Sequence, residues 1–143
     1  MLSNKCHYAL RAMLELTLRQ GRGPVTIGEI AAAQAIPVRF LEAILRELRQ
    51  AGLCDSVRGK AGGYTLSRDA ASITVNQVIR LFEGPLVVPA PTPNQSHDSG
   101  EVFHAVWNEA EKTLDAVFGR YSFGRLAELE QHRAFEKASN YSI

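Results

Sequence analysis

The sequence predicts a mainly α-helical fold: a winged helix-turn-helix with a small β-hairpin wing and a long C-terminal dimerisation helix. Two short helical segments joined by a tight turn occupy residues 26–51, and a glycine-rich basic hairpin follows at residues 53–66. A third observation is the helical stretch at residues 101–119, which carries a broad apolar face. The chain has 143 residues, which suits one small domain with an appended dimerisation element.

Composition excludes several other classes of protein. Hydrophobic residues make up 45% of the chain, too many for wholesale disorder, and two cysteines cannot form a disulfide framework. No run approaches the roughly 20 apolar residues of a membrane span, and Lys5, His7 and Arg11 interrupt the apolar stretch that a signal peptide would need. We therefore expect a cytoplasmic protein with no membrane partner. An enzyme is disfavoured, because the sequence has no Ser/His/Asp set, nucleotide motif or dense metal cluster.

The net charge of +1 is a cancellation between two halves of opposite charge. Residues 1–70 hold ten of the 16 Lys and Arg residues and six of the 15 Asp and Glu residues, which gives +4. Residues 71–143 hold the other six basic and nine acidic residues, which gives −3. This distribution indicates that only the first half contacts a polyanion.

The first predicted helix covers residues 3–20. Its apolar residues recur at helical spacing on one face, and Ser3 suits its N-cap. Gly21, Gly23 and Pro24 then break the helix.

The next two helices have the plan of a helix-turn-helix. Thr26 and Glu29 form a capping box that opens a short helix, and the turn after it ends at Pro37, which suits the first position of a helix. The second of the two covers about 37–51, and Gly52 suits its left-handed C-cap. Any αα-hairpin has this plan, so the segment that follows decides between the two interpretations.

A basic hairpin favours the winged helix-turn-helix. Residues 53–57 have strand character and residues 64–66 can pair back against them. Three glycines lie among the six residues between them, with Arg58 and Lys60 at the tip. Such a hairpin is typical of a wing that contacts phosphates or enters a minor groove. A nucleotide-phosphate loop is disfavoured, because the Gly-Lys-Ser/Thr ending is absent and no helix follows directly.

The second half of the chain predicts a linker and two helices. Thr74 opens a helix that ends near Gly84, and residues 85–100 then hold four of the six prolines, as expected of an irregular loop. The apolar face of the helix from Glu101 is too large for a small winged helix to cover, so the same helix of a second subunit is its predicted partner. The residues of this face are Phe103, Val106, Trp107, Ala110, Leu114, Val117 and Phe118. Ser122 can cap a final helix.

Three segments together resemble the family of bacterial winged-helix transcriptional regulators that includes IscR, NsrR and CymR. They are NKCHYALRAM at residues 4–13, the stretch at residues 40–48 that begins with FLE, and VRGKAGGYTL at residues 57–66. The motif HAVW at residues 104–107 extends the match. The resemblance runs from about residue 2 to residue 130.

The resemblance implies a homodimer that binds a pseudo-palindromic operator in double-stranded DNA, and we expect it to act as a repressor. It implies a DNA-binding domain at residues 1–84, a loop for an effector or for sensing at 85–100, and dimerisation and C-terminal helices at 101–143. A winged-helix module that docks an acidic protein partner is the alternative function.

The same resemblance assigns candidate DNA contacts. The second helix of the motif would enter the major groove and the wing the minor groove. Arg39 can donate hydrogen bonds to guanine, and Glu42 can accept one from the amino group of cytosine. The alternative for the Glu42 carboxylate is an ion pair with Arg46. The candidate DNA-binding residues are Thr26, Val38, Arg39, Glu42, Arg46, Arg58, Gly59, Lys60 and Tyr64.

Relatives that bind a cluster place three cysteines in the loop before the long helix, whereas residues 85–100 here contain none. We therefore expect no three-cysteine iron–sulphur cluster and no other cofactor. By the resemblance, His104 takes the place of a ligand histidine, His7 that of a ligand carboxylate and Glu101 that of a ligand cysteine. A metal or cluster site with non-cysteine ligands, to which His97 and Asp98 of the loop would also contribute, is the alternative to purely structural roles.

Two further modes of sensing stay open. Cys6 lies near a helix N-terminus beside Lys5 and His7, surroundings that predict a lowered thiol pKa and make it a candidate redox thiol. Cys54 suits an inert core position. A small-molecule effector bound between the loop and the long helix is the other alternative.

Overall fold

The computed structural model describes residues 1–87 and 101–141, with the backbone alone for Glu101. Within these ranges the chain forms six α-helices, one β-hairpin and a short 3₁₀ turn at Ala70–Ser72. The elements are α1 (Asn4–Leu18), α2 (Ile27–Gln34), α3 (Val38–Gln50), β1 (Cys54–Val57), β2 (Gly63–Leu66), α4 (Val75–Glu83), α5 (Glu101–Gly119) and α6 (Phe123–Asn140). The mainly α-helical winged helix-turn-helix is confirmed.

Short-range signals in the sequence set where several helices begin. The Ser3 hydroxyl accepts a hydrogen bond from the backbone N–H of Cys6 at 3.1 Å and caps α1. Thr26 and Glu29 form the predicted capping box at the start of α2. One detail of the prediction is wrong: Pro37 is the N-cap of α3 and the helix itself begins at Val38. Proline still suits this place, because the N-cap N–H has no partner within the helix.

The core lies around α1, which packs against α2, α3, α4, α6 and β2. The buried face of α3 consists of Leu41, Ile44, Leu45 and Leu48, as the sequence predicts. Phe123 at the start of α6 is also fully buried in this core, 1% exposed. Its backbone N–H donates to the carbonyl of Ile73 at 2.9 Å, so the end of the chain is anchored to the same body as the helix-turn-helix.

The hairpin is antiparallel, with Cys54 opposite Leu66 and Val57 opposite Gly63. Val25 adds an isolated bridge to Tyr64, with N–O distances of 2.9 and 2.7 Å. A Cβ on Gly63 would lie 2.4 Å from the Val25 carbonyl oxygen, so only glycine permits this close approach. The wing is therefore attached on its inner side to the residue just before the capping box of α2.

Candidate nucleic-acid interface

The turn between α2 and α3 has the geometry that a helix-turn-helix needs. Ala35 adopts the left-handed conformation, with φ of 52°, and Ile36 is buried beneath the turn. The Ile36 N–H donates to the carbonyl of Ala31 at 3.0 Å. This turn sets the direction in which α3 leaves α2, so the apolar face of α3 lies on the core and its polar face lies on the surface.

The outer face of α3 carries the side chains of this helix that are predicted to contact DNA. Val38 is 43% exposed, and Arg39, Glu42 and Arg46 are exposed as well. Within the described residues, neither Glu42 nor Arg46 forms an ion pair or a side-chain hydrogen bond, so the alternative pair between them is not formed. Both side chains are available to an external partner.

A stack of rings and guanidinium groups connects α3 to α1. The guanidinium carbon of Arg39 lies 4.7 Å from the centre of the Phe40 ring, and that ring stacks on Tyr8 with centroids 6.3 Å apart. Arg11 lies over the other ring of the stack, 5.5 Å from the Tyr8 centroid. The sequence alone did not predict that Phe40, Tyr8 and Arg11 belong to this surface. The one signal for it was Phe40, an apolar residue that lies outside the helical stripe of the buried Leu41.

The wing places two cations at its tip. Gly59 has φ of 111°, and the Gly62 N–H donates to the Gly59 carbonyl at 3.0 Å, which closes the turn. Arg58 and Lys60 are exposed, and neither forms an ion pair or a side-chain hydrogen bond with any described residue. Two uncompensated cations on a protruding hairpin suit contact with phosphates.

Tyr64 has a different place from the other candidate DNA contacts. Its side chain is half-buried and packs against the core, while its backbone makes both hydrogen bonds to Val25. Its role in the structure is to attach the wing to the body of the domain.

Thr26 is occupied by its capping box. Its hydroxyl accepts from the Glu29 N–H at 3.2 Å, and the Glu29 carboxylate accepts from the Thr26 N–H at 3.1 Å. A carboxylate at this helix end would repel a phosphate, and Arg19, 3.7 Å from it, compensates its charge only in part because Arg19 also pairs with Glu15 at 2.7 Å. A phosphate at the start of α2 would thus meet a carboxylate whose charge is only partly compensated.

The apolar face of α5 is exposed near its N-terminal end and partly covered along the rest of the helix. Phe103 and Val106 are 58% and 51% exposed, and Phe103 stacks on Trp107 with centroids 6.1 Å apart. The remaining residues of the predicted dimerisation face, Ala110, Leu114, Val117 and Phe118, are partly exposed. A row of apolar side chains of this length on one helix is typical of a subunit interface.

The two cysteines are not placed for redox chemistry. Cys6 is fully buried, and burial together with the nearby charge of Glu83 raises its thiol pKa to about 11. The expected lowering of this pKa is therefore wrong, because the side chain lies in the core beneath α1. Burial likewise raises the pKa of Cys54 to about 12, and its thiol lies 3.7 Å from the carbonyl oxygen of Leu45.

The other candidate ligand residues are not brought together by the described structure. His7 and His104 are both exposed. Among residues 1–87 and 101–141, no group of three or more His, Cys, Asp and Glu side chains is placed to hold a metal ion. His97 and Asp98 lie outside the described residues, and so does the side chain of Glu101. No helix in the described parts of the chain is both long and apolar enough to cross a membrane.

Comparison with known proteins adds three findings. The profile of the family described as "Rrf2: Iron-dependent Transcriptional regulator" matches residues 2–129. The transcriptional regulator IscR of Klebsiella pneumoniae strain 342 is 33% identical over 127 residues, which are 87% of this chain and 78% of that protein, and IscR of Escherichia coli K12 DH10B gives the same values.

Solved structures of regulators have the same fold. The structure of T. potens IscR matches with a TM-score of 0.72 and 30% identity, covering all of this chain and 91% of that one. The structure of CymR, the global cysteine regulator of B. subtilis, matches with a TM-score of 0.71 and 29% identity, covering 90% of this chain and 97% of that one.

Proposed function

The chain belongs to the Rrf2 family of transcriptional regulators, and on that premise we propose that it is a homodimeric repressor that reads a pseudo-palindromic operator. The observation that carries the proposal is the outer face of α3, where Val38, Arg39, Glu42 and Arg46 are exposed beside a wing with a cationic tip. These residues, not a cavity, are where a partner would bind. Since bacterial DNA lies in the cytoplasm, we propose that location as well.

Each element would have a separate task on the operator. The N-terminal half of α3 enters the major groove, where Arg39 donates to O6 and N7 of a guanine and Glu42 accepts from the amino group of a cytosine. The wing lies along the adjacent minor groove, with Arg58 and Lys60 on phosphates. Phosphate contacts hold the register, while the contacts of α3 supply the sequence preference. The repressor acts by occupying the DNA that the transcription machinery needs.

The apolar face of α5 would join the two subunits. Pairing of this helix with its copy covers Phe103 and Val106, which a single chain leaves exposed, and the exposed part of Trp107. A two-fold axis through the paired helices presents two copies of α3 to the two halves of a palindrome.

We propose that sensing does not use a three-cysteine iron–sulphur cluster, although the family is described as iron-dependent. The chain has two cysteines in all, and both are fully buried in the core. Three thiolates from one chain are therefore not available, and the residues do not fit such a cluster. Elemental analysis and an absorbance spectrum of anaerobically purified protein test this: a stoichiometric metal lost on His104→Ala would contradict sensing without a metal.

The function itself is tested by selection. Purified protein is incubated with sheared genomic DNA, including the region upstream of its own gene, and bound fragments are sequenced. We expect a few fragments that share an inverted repeat. Equal recovery of all fragments would overturn the proposal and favour the module that docks an acidic protein.

Substitutions on the selected fragment then test the roles of α3. Arg39→Ala and Glu42→Ala should each weaken binding by about 5- to 150-fold per half-site and relax the preference at one base pair of each half-site, because each removes a contact to a base edge. Arg133→Ala, on an exposed part of α6, is the matched control and should leave the affinity unchanged. Equal losses for all three variants would contradict the assignment.

A further inference from the structure

Arg80 joins α4 to α5 through three groups, two carboxylates on α5 and one backbone carbonyl after α4. Its Nε and Nη2 atoms lie 2.8 and 2.6 Å from an Asp115 carboxylate oxygen, and Nη2 lies 2.5 Å from the Glu111 carboxylate. Its Nη1 atom donates to the Gly84 carbonyl at 3.1 Å, just after the end of α4. The Glu111 carboxylate also accepts from the Val87 backbone N–H. We call these residues the Arg80 clamp.

The clamp is partly shielded from water. The side chains of Arg80 and Glu111 are 26% and 11% exposed. Burial alone would lower the pKa of Arg80, but the hydrogen bonds that Arg80 donates to Asp115 and Glu111 outweigh it and raise the pKa above its ordinary value. A guanidinium held by two carboxylates has a fixed direction, because its donors form a planar, rigid fork.

A second set of contacts lies at the other end of the same helix pair. The Val75 N–H, at the start of α4, donates to the Tyr121 carbonyl at 2.9 Å, and Thr74 bridges to Ser122. The start of α4 thus meets the end of α5, while Arg80 meets Glu111 and Asp115 further back, so the two helices run antiparallel. The C-terminal half of α5 is therefore attached to α4 at two places, by Arg80 and by the backbone contacts at the start of α4.

The N-terminal part of α5 extends past the clamp with its apolar side chains exposed. Val102, Phe103 and Val106 are all more than half exposed. The helix has 19 residues and is about 28 Å long, so a rotation of about 8° at one end moves the other by about 4 Å. That displacement is close to the roughly 3.4 Å rise of one base pair.

We propose that Arg80 is a positioning residue for operator binding: it fixes the angle between α5 and the helix-turn-helix, and thereby the distance between the two half-sites that the dimer reads. This inference rests on the proposed dimer through α5. Arg80 touches no DNA in this account, and acts through the relative placement of the two copies of α3.

The test measures affinity as a function of half-site spacing. The selected operator is prepared with its natural spacing, with one or two base pairs inserted or removed, and as a single half-site, and each duplex is titrated by fluorescence anisotropy. Wild-type protein should lose about tenfold or more in affinity for each base pair of misfit. Arg80→Gln should bind the natural spacing about tenfold more weakly and discriminate by less than about threefold between spacings, with unchanged half-site affinity.

Two variants and one control separate positioning from folding. Asp115→Asn removes a charge from a side chain that is 45% exposed, so it leaves the core intact. It should reduce the discrimination between spacings, but by a smaller factor than Arg80→Gln does. Arg133→Gln breaks a pair with Glu130 within α6 and should behave as wild type. If Arg80→Gln does not fold, as judged by circular dichroism, Asp115→Asn decides the question.

The outcomes distinguish this inference from the function on which it rests. Sedimentation velocity of the wild type shows whether a dimer exists, and a wild-type monomer without any spacing preference would overturn both. A wild-type dimer that discriminates between spacings, together with variants of the Arg80 clamp that discriminate equally well, would overturn the role of Arg80 alone. A parallel loss of half-site affinity in both variants would also overturn it, because it would show damage to the helix-turn-helix itself.

Discussion

The wing offers the sharpest quantitative prediction. Arg58 and Lys60 are exposed at its tip and form no ion pair with the described residues, so replacing both with alanine removes charge without exposing core or breaking a pair. Each phosphate contact contributes about 0.9 to the slope of log K against log salt concentration. Because the proposed dimer carries two wings, the variant loses four phosphate contacts, and we expect the slope of Arg58→Ala/Lys60→Ala to be shallower than that of the wild type by about 3.6.

The change in slope is large enough to measure. Between 50 and 200 mM salt, it makes the loss of affinity about 150-fold smaller for the variant than for the wild type. Fluorescence anisotropy over a salt series measures both slopes on the selected operator. The variant should also bind more weakly to every duplex by a similar factor, because phosphates carry no sequence information.

A control variant removes the same amount of charge from elsewhere. Arg133→Ala/Lys137→Ala, on the exposed C-terminal part of α6, lowers the net charge equally. A slope for the wing variant that equals that of the wild type would refute the assignment of the wing. Equal reductions in both variants would show that total charge, and not the wing, sets the salt dependence.

Three more predictions concern stability and assembly. Thr26→Ala should lower the free energy of unfolding by about 0.5–2 kcal/mol through loss of the capping hydrogen bond, and an unchanged urea midpoint would contradict this. The pKa of Cys6 is raised from 9.0 to about 11 by folding, so its contribution to stability is fully present below pH 9 and is lost as the pH rises toward 11. Cys6→Ala should therefore flatten the fall of the urea midpoint over that range, and equal slopes would argue against it. Val106→Asp should convert the dimer to a monomer in sedimentation velocity, since it buries an unpaired charge at the interface; a stable dimer would place the interface elsewhere.

Features that depend on neighbours in the sequence were predictable. The capping box of Thr26 and Glu29 needs two residues three positions apart, and the wing needs a glycine-rich segment between two short strands. The buried face of α3 follows from helical spacing alone. These local signals were sufficient for the fold and for the outer face of α3.

Features that join distant parts of the chain were not predictable. Arg80 and Asp115 are 35 residues apart, and nothing in either helix indicates that they meet. The burial of Phe123 in the core around α1 is likewise a tertiary contact. Cys6 is different, because it lies on the same helical stripe as Ala9 and Met13, and that spacing could have shown that its side chain faces the core.

The central claim is that this chain binds DNA with sequence preference through α3 and the wing. The most direct test compares the dissociation constants for the selected operator and for a shuffled duplex of the same composition, at physiological ionic strength. We expect the operator to be bound at least about 10³-fold more tightly, as is typical of specific regulators. Equal affinity for the two duplexes would contradict it.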